Sequence, residues 1–255
     1  MLIINPASAT GAAYWQRSAV HSRWLGQGAA LLGLAGEVDT ASLRSVMLGQ
    51  SLQGEPLTER PGLRRRHGWD LIFAAPKSVS LLAEAGSRPA AELRDAYRLA
   101  VGDALAVIEG RAAWLRSGGE QVPAQGVVGA AFEHLANDAG HPHLHTHLVL
   151  ANLGTRDDGR WGCLVSSELW RWREGVGAGF HLALRSRLAE AGFGFSWAIS
   201  EGGLGEIASV PIEARSAASS RSRALRATAR SFGSGSAATE RAAQATTRQI
   251  SGRQS

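Results

Sequence analysis

The stretch GVVGAAFEHLANDAGHPHLHTHLVLANL (126–153) constrains this chain more than any other. Two apolar runs of strand length, 126–136 and 143–153, flank NDAGHP, a cluster of turn-forming residues, and together they predict an antiparallel hairpin. Four of the eight histidines fall in HPHLHTH, at positions 141, 143, 145 and 147. A strand projects such alternate positions to one face. His134 stands on the preceding strand, and the turn brings it alongside. Three imidazoles on neighbouring strands leave coordination positions open for water or a phosphate oxygen, as a catalytic metal centre needs. We assign His134, His145 and His147 as ligands, with His141 and His143, nearer the turn, as flanking residues. A histidine-rich loop with adventitious metal affinity is the plainer alternative. A His-x-His pair also opens the amidohydrolase barrels, but there most of a barrel of roughly 250 residues follows the pair. The chain ends too soon after His147 for that, at residue 255.

Other apolar patterns supply the rest of the fold. WDLIFAA (69–75) reads as a buried strand ended by Pro76, and KSVSLLAEA as the helix that follows. Leu93, Tyr97, Ala100 and Ala104 recur at helical spacing within a helix expected from Ala90 to Arg116. Further helices are expected over Ala12–Trp24 and Ser167–Glu190, with short strands at Leu2–Ile4 and Trp161–Val165 and a hairpin through GFGFSWAIS and GEIASV. Residues 49–68 read as a loop. The sum is an α+β domain, a central antiparallel sheet covered by helices, over residues 1–213. Residues 214–255 form a Ser-, Arg- and Ala-rich tail, disordered or partly helical.

Composition narrows the chemistry. With Cys163 as the single cysteine, neither a disulfide framework nor a cysteine-rich zinc site is available within the chain. From Glu213 onward the chain carries eight arginines and two glutamates, which accounts for the net charge of +5 and leaves the body near neutral. No run approaches the roughly 20 apolar residues that span a bilayer, so the expectation is a cytoplasmic protein without membrane insertion.

Asp70 lies inside an apolar strand, where an unpaired carboxylate is costly. It suits a partner to a ligand histidine or a general base, with a structural salt bridge as the alternative. The two tyrosines are Tyr14 and Tyr97; the second falls on the apolar face of its helix and reads as core. Tyr14 sits near the N terminus, where a phenol can pack or attack a phosphodiester. Lys77 and Ser78 open a helix whose N–H groups could receive a phosphate, or simply begin a helix.

WLGQGAALLGLAGEVD (24–39), WDLIFAAPKSVSLL (69–82), FEH followed by HLHTHLVLAN (132–152) and the DDGRW turn (157–161) together resemble the TrwC-type relaxase domain, the MobF class of conjugative relaxases among the HUH endonucleases. The resemblance runs from residue 1 to about residue 215. It implies a DNA-nicking transesterase acting at the nic site of an origin of transfer. By position, Tyr14 is the nucleophile that stays attached to the 5′ phosphate, His134, His145 and His147 hold one divalent ion, and Asp70 supports them. Mg²⁺ or Mn²⁺ is expected first and Zn²⁺ second. The partners implied are single-stranded or hairpin DNA and conjugation accessory proteins. Many members carry a second tyrosine pair, which this chain lacks, and most continue into a helicase domain. An impaired fragment that only binds single-stranded DNA and a rolling-circle replication initiator are the competing readings.

Overall fold

The structure, a computed structural model, describes residues 2–84, 88–117, 119–200 and 204–218. Its frame is an antiparallel sheet in the order β1-β3-β7-β6-β2: β1 (Ile3–Ala7), β3 (Gly68–Ala74), β7 (Pro142–Thr155), β6 (Gly126–Ala136) and β2 (His21–Leu25). A two-residue strand, β8 (Trp161–Gly162), pairs with the far end of β7. The α+β architecture expected from the pattern is the one observed.

β7, the longest strand, occupies the centre because its apolar residues alternate onto both faces. On one face Leu144, Leu148 and Leu150 join Leu71 and Phe73 of β3 beneath two long helices, α5 (Arg88–Val107) and α6 (Ser166–Glu190). Leu93, Tyr97, Ala100 and Ala104 form the buried stripe of α5, as their spacing predicted. Tyr97 is core, its hydroxyl donating to the Phe73 carbonyl at 2.8 Å and lying 2.9 Å from Thr146 Oγ1. On the other face Phe132, Val149 and Trp24 pack with Trp15, Leu43, Val46 and Met47. The last three belong to α3 (Thr40–Met47), whose first turn is capped by Asp39 accepting from the Ser42 N–H at 2.7 Å. The second face is thus covered by short helices, and it carries the histidines.

Three expectations need correction. The helix over Ala12–Trp24 stops early: α1 covers Ala12–Gln16, Ser18 turns the chain with φ of 61°, and HSRWL becomes the edge strand β2. Trp15 and Trp24 serve one apolar cluster from a helix and a strand, and in sequence this mimics a single amphipathic helix. The helix from Ala90 ends at Val107 with a π-helical turn, Ile108–Ala112. Trp114–Ser117 then forms β4, a hairpin with β5 (Glu120–Pro123) that buries Leu115. The strand at Trp161–Val165 is shorter than expected.

The remaining elements are α2 (Gln27–Leu31), α4 (Lys77–Ala83), the hairpin of β9 (Trp197–Ile199) and β10 (Gly205–Ile207), and α7 (Ile212–Ala217). α7 straddles the expected start of the tail; everything assigned to that tail beyond residue 218 lies outside the described residues. Among the described residues no helix is long and apolar enough to cross a membrane.

Candidate active site

Register decides which side chains meet. β6 and β7 pair His134 with His145 and Phe132 with His147, while β3 sets Ala74 opposite His145, Ile72 opposite His147 and Asp70 opposite Val149. Directly opposed residues share a face, so Asp70, His134, His145 and His147 all project from the same side of the sheet. The pairing of β6 and β7 shifts just beyond His134. Such irregularities re-aim side chains at strand ends.

The three histidines form a nearly equilateral triangle, with ring centroids separated by 5.1 Å (His134–His145), 5.2 Å (His145–His147) and 5.3 Å (His134–His147). An ion about 2.1 Å from three imidazole nitrogens has ring centres roughly 3.2 Å away and about 5 Å from one another. The spacing fits. Among the described residues, no three His, Cys, Asp or Glu side chains already close on a common point.

Each ring has one nitrogen committed to an acceptor. His134 Nε2 lies 2.9 Å from the carbonyl oxygen of Trp15, His145 Nδ1 is 2.8 Å from the carbonyl of His143, and His147 Nδ1 is 2.8 and 2.9 Å from the two oxygens of Asp70. A carbonyl or carboxylate only accepts, so these nitrogens carry the hydrogens. The lone pairs then fall on His134 Nδ1, His145 Nε2 and His147 Nε2. Burial also favours the neutral ring, depressing His134 below its ordinary value and His145 to about 3. Neutral imidazoles with one free lone pair each are the species that bind metals.

Asp70 is buried, and it meets the cost of burial with two donors: His147 Nδ1–H and the indole N–H of Trp15 at 3.1 Å from Oδ2. Tyr14, on α1 beside Trp15, is 60% exposed, and its ring stands edge-on to His147 with centroids 6.0 Å apart. Partial burial, then the negative charges of Asp138 and Asp70, push its pKa upward, so the phenol is protonated at neutral pH.

Of the flanking histidines, His143 stacks on His145 at 4.7 Å and lends its carbonyl, with its own pKa lowered to about 4 by burial and then by Lys77. Lys77 and Ser78 have another use. Their backbone N–H groups donate to the carboxylate of Glu206 on β10, at 3.2 and 2.8 Å. Ser78 Oγ accepts from the Ile207 N–H, and Lys77 Nζ donates to the Pro142 carbonyl at 2.7 Å. The helix start expected to receive a phosphate is filled by the protein's own carboxylate. Trp15 and Glu206 were missed as participants. Trp15 had one signal, its place beside Tyr14, but its partner Asp70 is 55 residues away.

Several known proteins are similar to this chain in sequence and in fold. The TrwC relaxase family model matches residues 5–252. The multifunctional conjugation protein TraI of Escherichia coli is 33% identical over 227 residues, 84% of this chain and 12% of TraI. TraI of Escherichia coli strain K12 is 33% identical over 214 residues, again 12% of that protein, so the chain spans about an eighth of the length of these curated relatives. The conjugative relaxase TrwC in a metal-bound complex with OriT DNA superposes with a TM-score of 0.78 at 26% identity, over 95% of this chain and 89% of that one. A copper-bound form of the same complex gives the same values, and a metal-free form gives 0.76. This chain belongs to the TrwC relaxase family.

Proposed function

We propose that the domain is a metal-dependent, site- and strand-specific DNA-nicking transesterase that cleaves at the nic site of an origin of transfer. The observation that carries this reading is the triangle of imidazoles, each with one N–H already engaged, beside an exposed phenol. The solved TrwC complexes with OriT DNA, one including a 27-mer with the recognition hairpin and the cleavage site, support a DNA hairpin as substrate and a metal as cofactor.

In this reading His134, His145 and His147 would hold one divalent ion, with Asp70 orienting His147, and such an ion would supply Lewis-acid chemistry toward the scissile phosphate. Tyr14 Oη attacks phosphorus; the new O–P bond replaces the P–O3′ bond, leaving a 5′-phosphotyrosine and a free 3′ hydroxyl. The phenol loses a proton and the 3′ oxygen takes one up, so the step is proton-neutral overall. One phosphodiester is exchanged for another, which conserves the bond for religation.

The test uses labelled single strands tiling the origin region of the replicon that carries the gene, with and without Mn²⁺. A metal-dependent, strand-specific nick with a covalent adduct to Tyr14 is the expected result. DNA binding with no adduct in the presence of metal would establish the binding-only reading instead.

A further inference from the structure

We infer that Trp15 is a positioning residue that ties the tyrosine helix to the histidine triangle at two points. The inference rests on the nicking reading above and names a residue that this reading does not use.

α1 has five residues, far too few to be stable alone. Its buried residues are Ala12 and Trp15, and Tyr14 is exposed, so Trp15 is its principal anchor. The indole is 4% exposed, packed in the cluster of Trp24, Leu43, Val46 and Met47, with Gly11 close enough that an added Cβ would meet the ring at 3.4 Å. Hydrophobic packing alone would satisfy the ring. A buried indole N–H also needs an acceptor, and here the acceptor is Asp70 Oδ2 at 3.1 Å, in the carboxylate that holds His147.

The second tie is the Trp15 main-chain carbonyl, which accepts from His134 Nε2 at 2.9 Å. One residue thus contacts β3 through its side chain and β6 through its backbone, while its neighbour carries the phenol. Three consequences follow from that geometry. The Asp70 carboxylate is held from two sides, so His147 keeps its hydrogen on Nδ1. His134 keeps its hydrogen on Nε2, leaving Nδ1 as the lone-pair nitrogen. Tyr14 is held in register with His147 although most of its own surface is in solvent.

The experiment compares the unaltered domain with W15F, which preserves the ring and the backbone carbonyl but removes the indole N–H. Mn²⁺ affinity of the DNA-free protein is read by calorimetry, the His147 tautomer by ¹⁵N NMR, and adduct formation in a single turnover. Removing a ligand's own hydrogen-bond partner weakens metal binding by roughly tenfold or more; the indole acts through that partner, so we expect a measurable loss of up to about tenfold in W15F, a mixed His147 tautomer and a slower adduct. A second variant carries 3-benzothienylalanine at position 15, matching the indole in shape with sulfur in place of N–H, and decides the matter if W15F does not fold. Unchanged Mn²⁺ affinity and tautomer in a folded variant would overturn the inference. Failure of the unaltered protein to bind Mn²⁺ would overturn the metal reading itself, and this inference with it, whereas loss of the adduct in every protein with Mn²⁺ binding intact would count against Tyr14 alone.

Discussion

Arg98 grips Glu133 with two hydrogen bonds, Nε to Oε2 at 2.6 Å and Nη2 to Oε1 at 3.1 Å, on the opposite face of β6 from His134. Glu133 is 2% exposed and follows Phe132 of the core, so its carboxylate has no water to fall back on. Arg98 is itself held by Asp95, and its main-chain carbonyl accepts from Arg23 of the edge strand. The pair pins the residue next to a candidate ligand.

Removing one partner of a buried ion pair leaves the other uncompensated and costs about 3 kcal/mol. R98A should therefore lower the urea midpoint sharply, and R98K, which keeps the charge but loses the fork, should lower it less. An R98A midpoint equal to that of the unaltered protein would show that the pair is incidental.

Y14F should leave the fold and the Mn²⁺ affinity unchanged, because Tyr14 is exposed and phenylalanine keeps the ring that stands edge-on to His147. It should abolish the covalent DNA adduct, read as a band shift on a denaturing gel. An adduct that persists in Y14F would place the nucleophile elsewhere.

Stability should fall on acidification. Burial holds His145 near 3 and, together with nearby positive charge, holds His181 near 4, while the unfolded chain protonates each at about 6.5. Below pH 6.5 the unfolded state binds more protons than the native one, so each histidine lowers stability progressively until its folded pKa is reached. Urea midpoints between pH 7 and 4 should fall accordingly. H181N, away from the site, should flatten the slope; equal slopes in both proteins would refute its share.

Glu206 closes the start of α4, accepting from two N–H groups that would otherwise have no intrahelical partner. E206A should cost about 1 kcal/mol, in the range of other lost caps, and should speed amide exchange at Lys77 and Ser78 in particular. E206Q, which retains an acceptor, should restore part of the protection. Exchange that stays slow in E206A would show that α4 holds without the cap.

The hairpin and its histidines were legible because strand alternation and turn chemistry are local signals, and 126–136 and 143–153 match β6 and β7 within two residues. Asp70 was legible as well, since a carboxylate inside WDLIFAA needs a partner. The helix over Ala12–Trp24 misled because two tryptophans from different elements meet in one core. The end of α5 misled because Leu115 continues an apolar rhythm that the chain resumes as a strand after a π turn. Glu206 was invisible for a different reason. Its contact with Ser78 spans 128 residues, and nothing in GEI marks one glutamate as a helix cap.

The sheet order gives β7 a further part to play during folding. Both of its neighbours in that order precede it in the chain, at very different separations: β6 across a short turn, β3 some 77 residues back at the Asp70–His147 contact. Local hairpins close early and distant pairings late, so His134 and His145 meet first, and His147 finds Asp70 after the long loop has closed. A one-residue slip in that late pairing would turn the whole strand over. All three rings belong to the β6–β7 hairpin, so closing it is enough to gather them, whereas the Asp70 bond that fixes the orientation of His147 forms only in chains that have docked β3 in its native alignment.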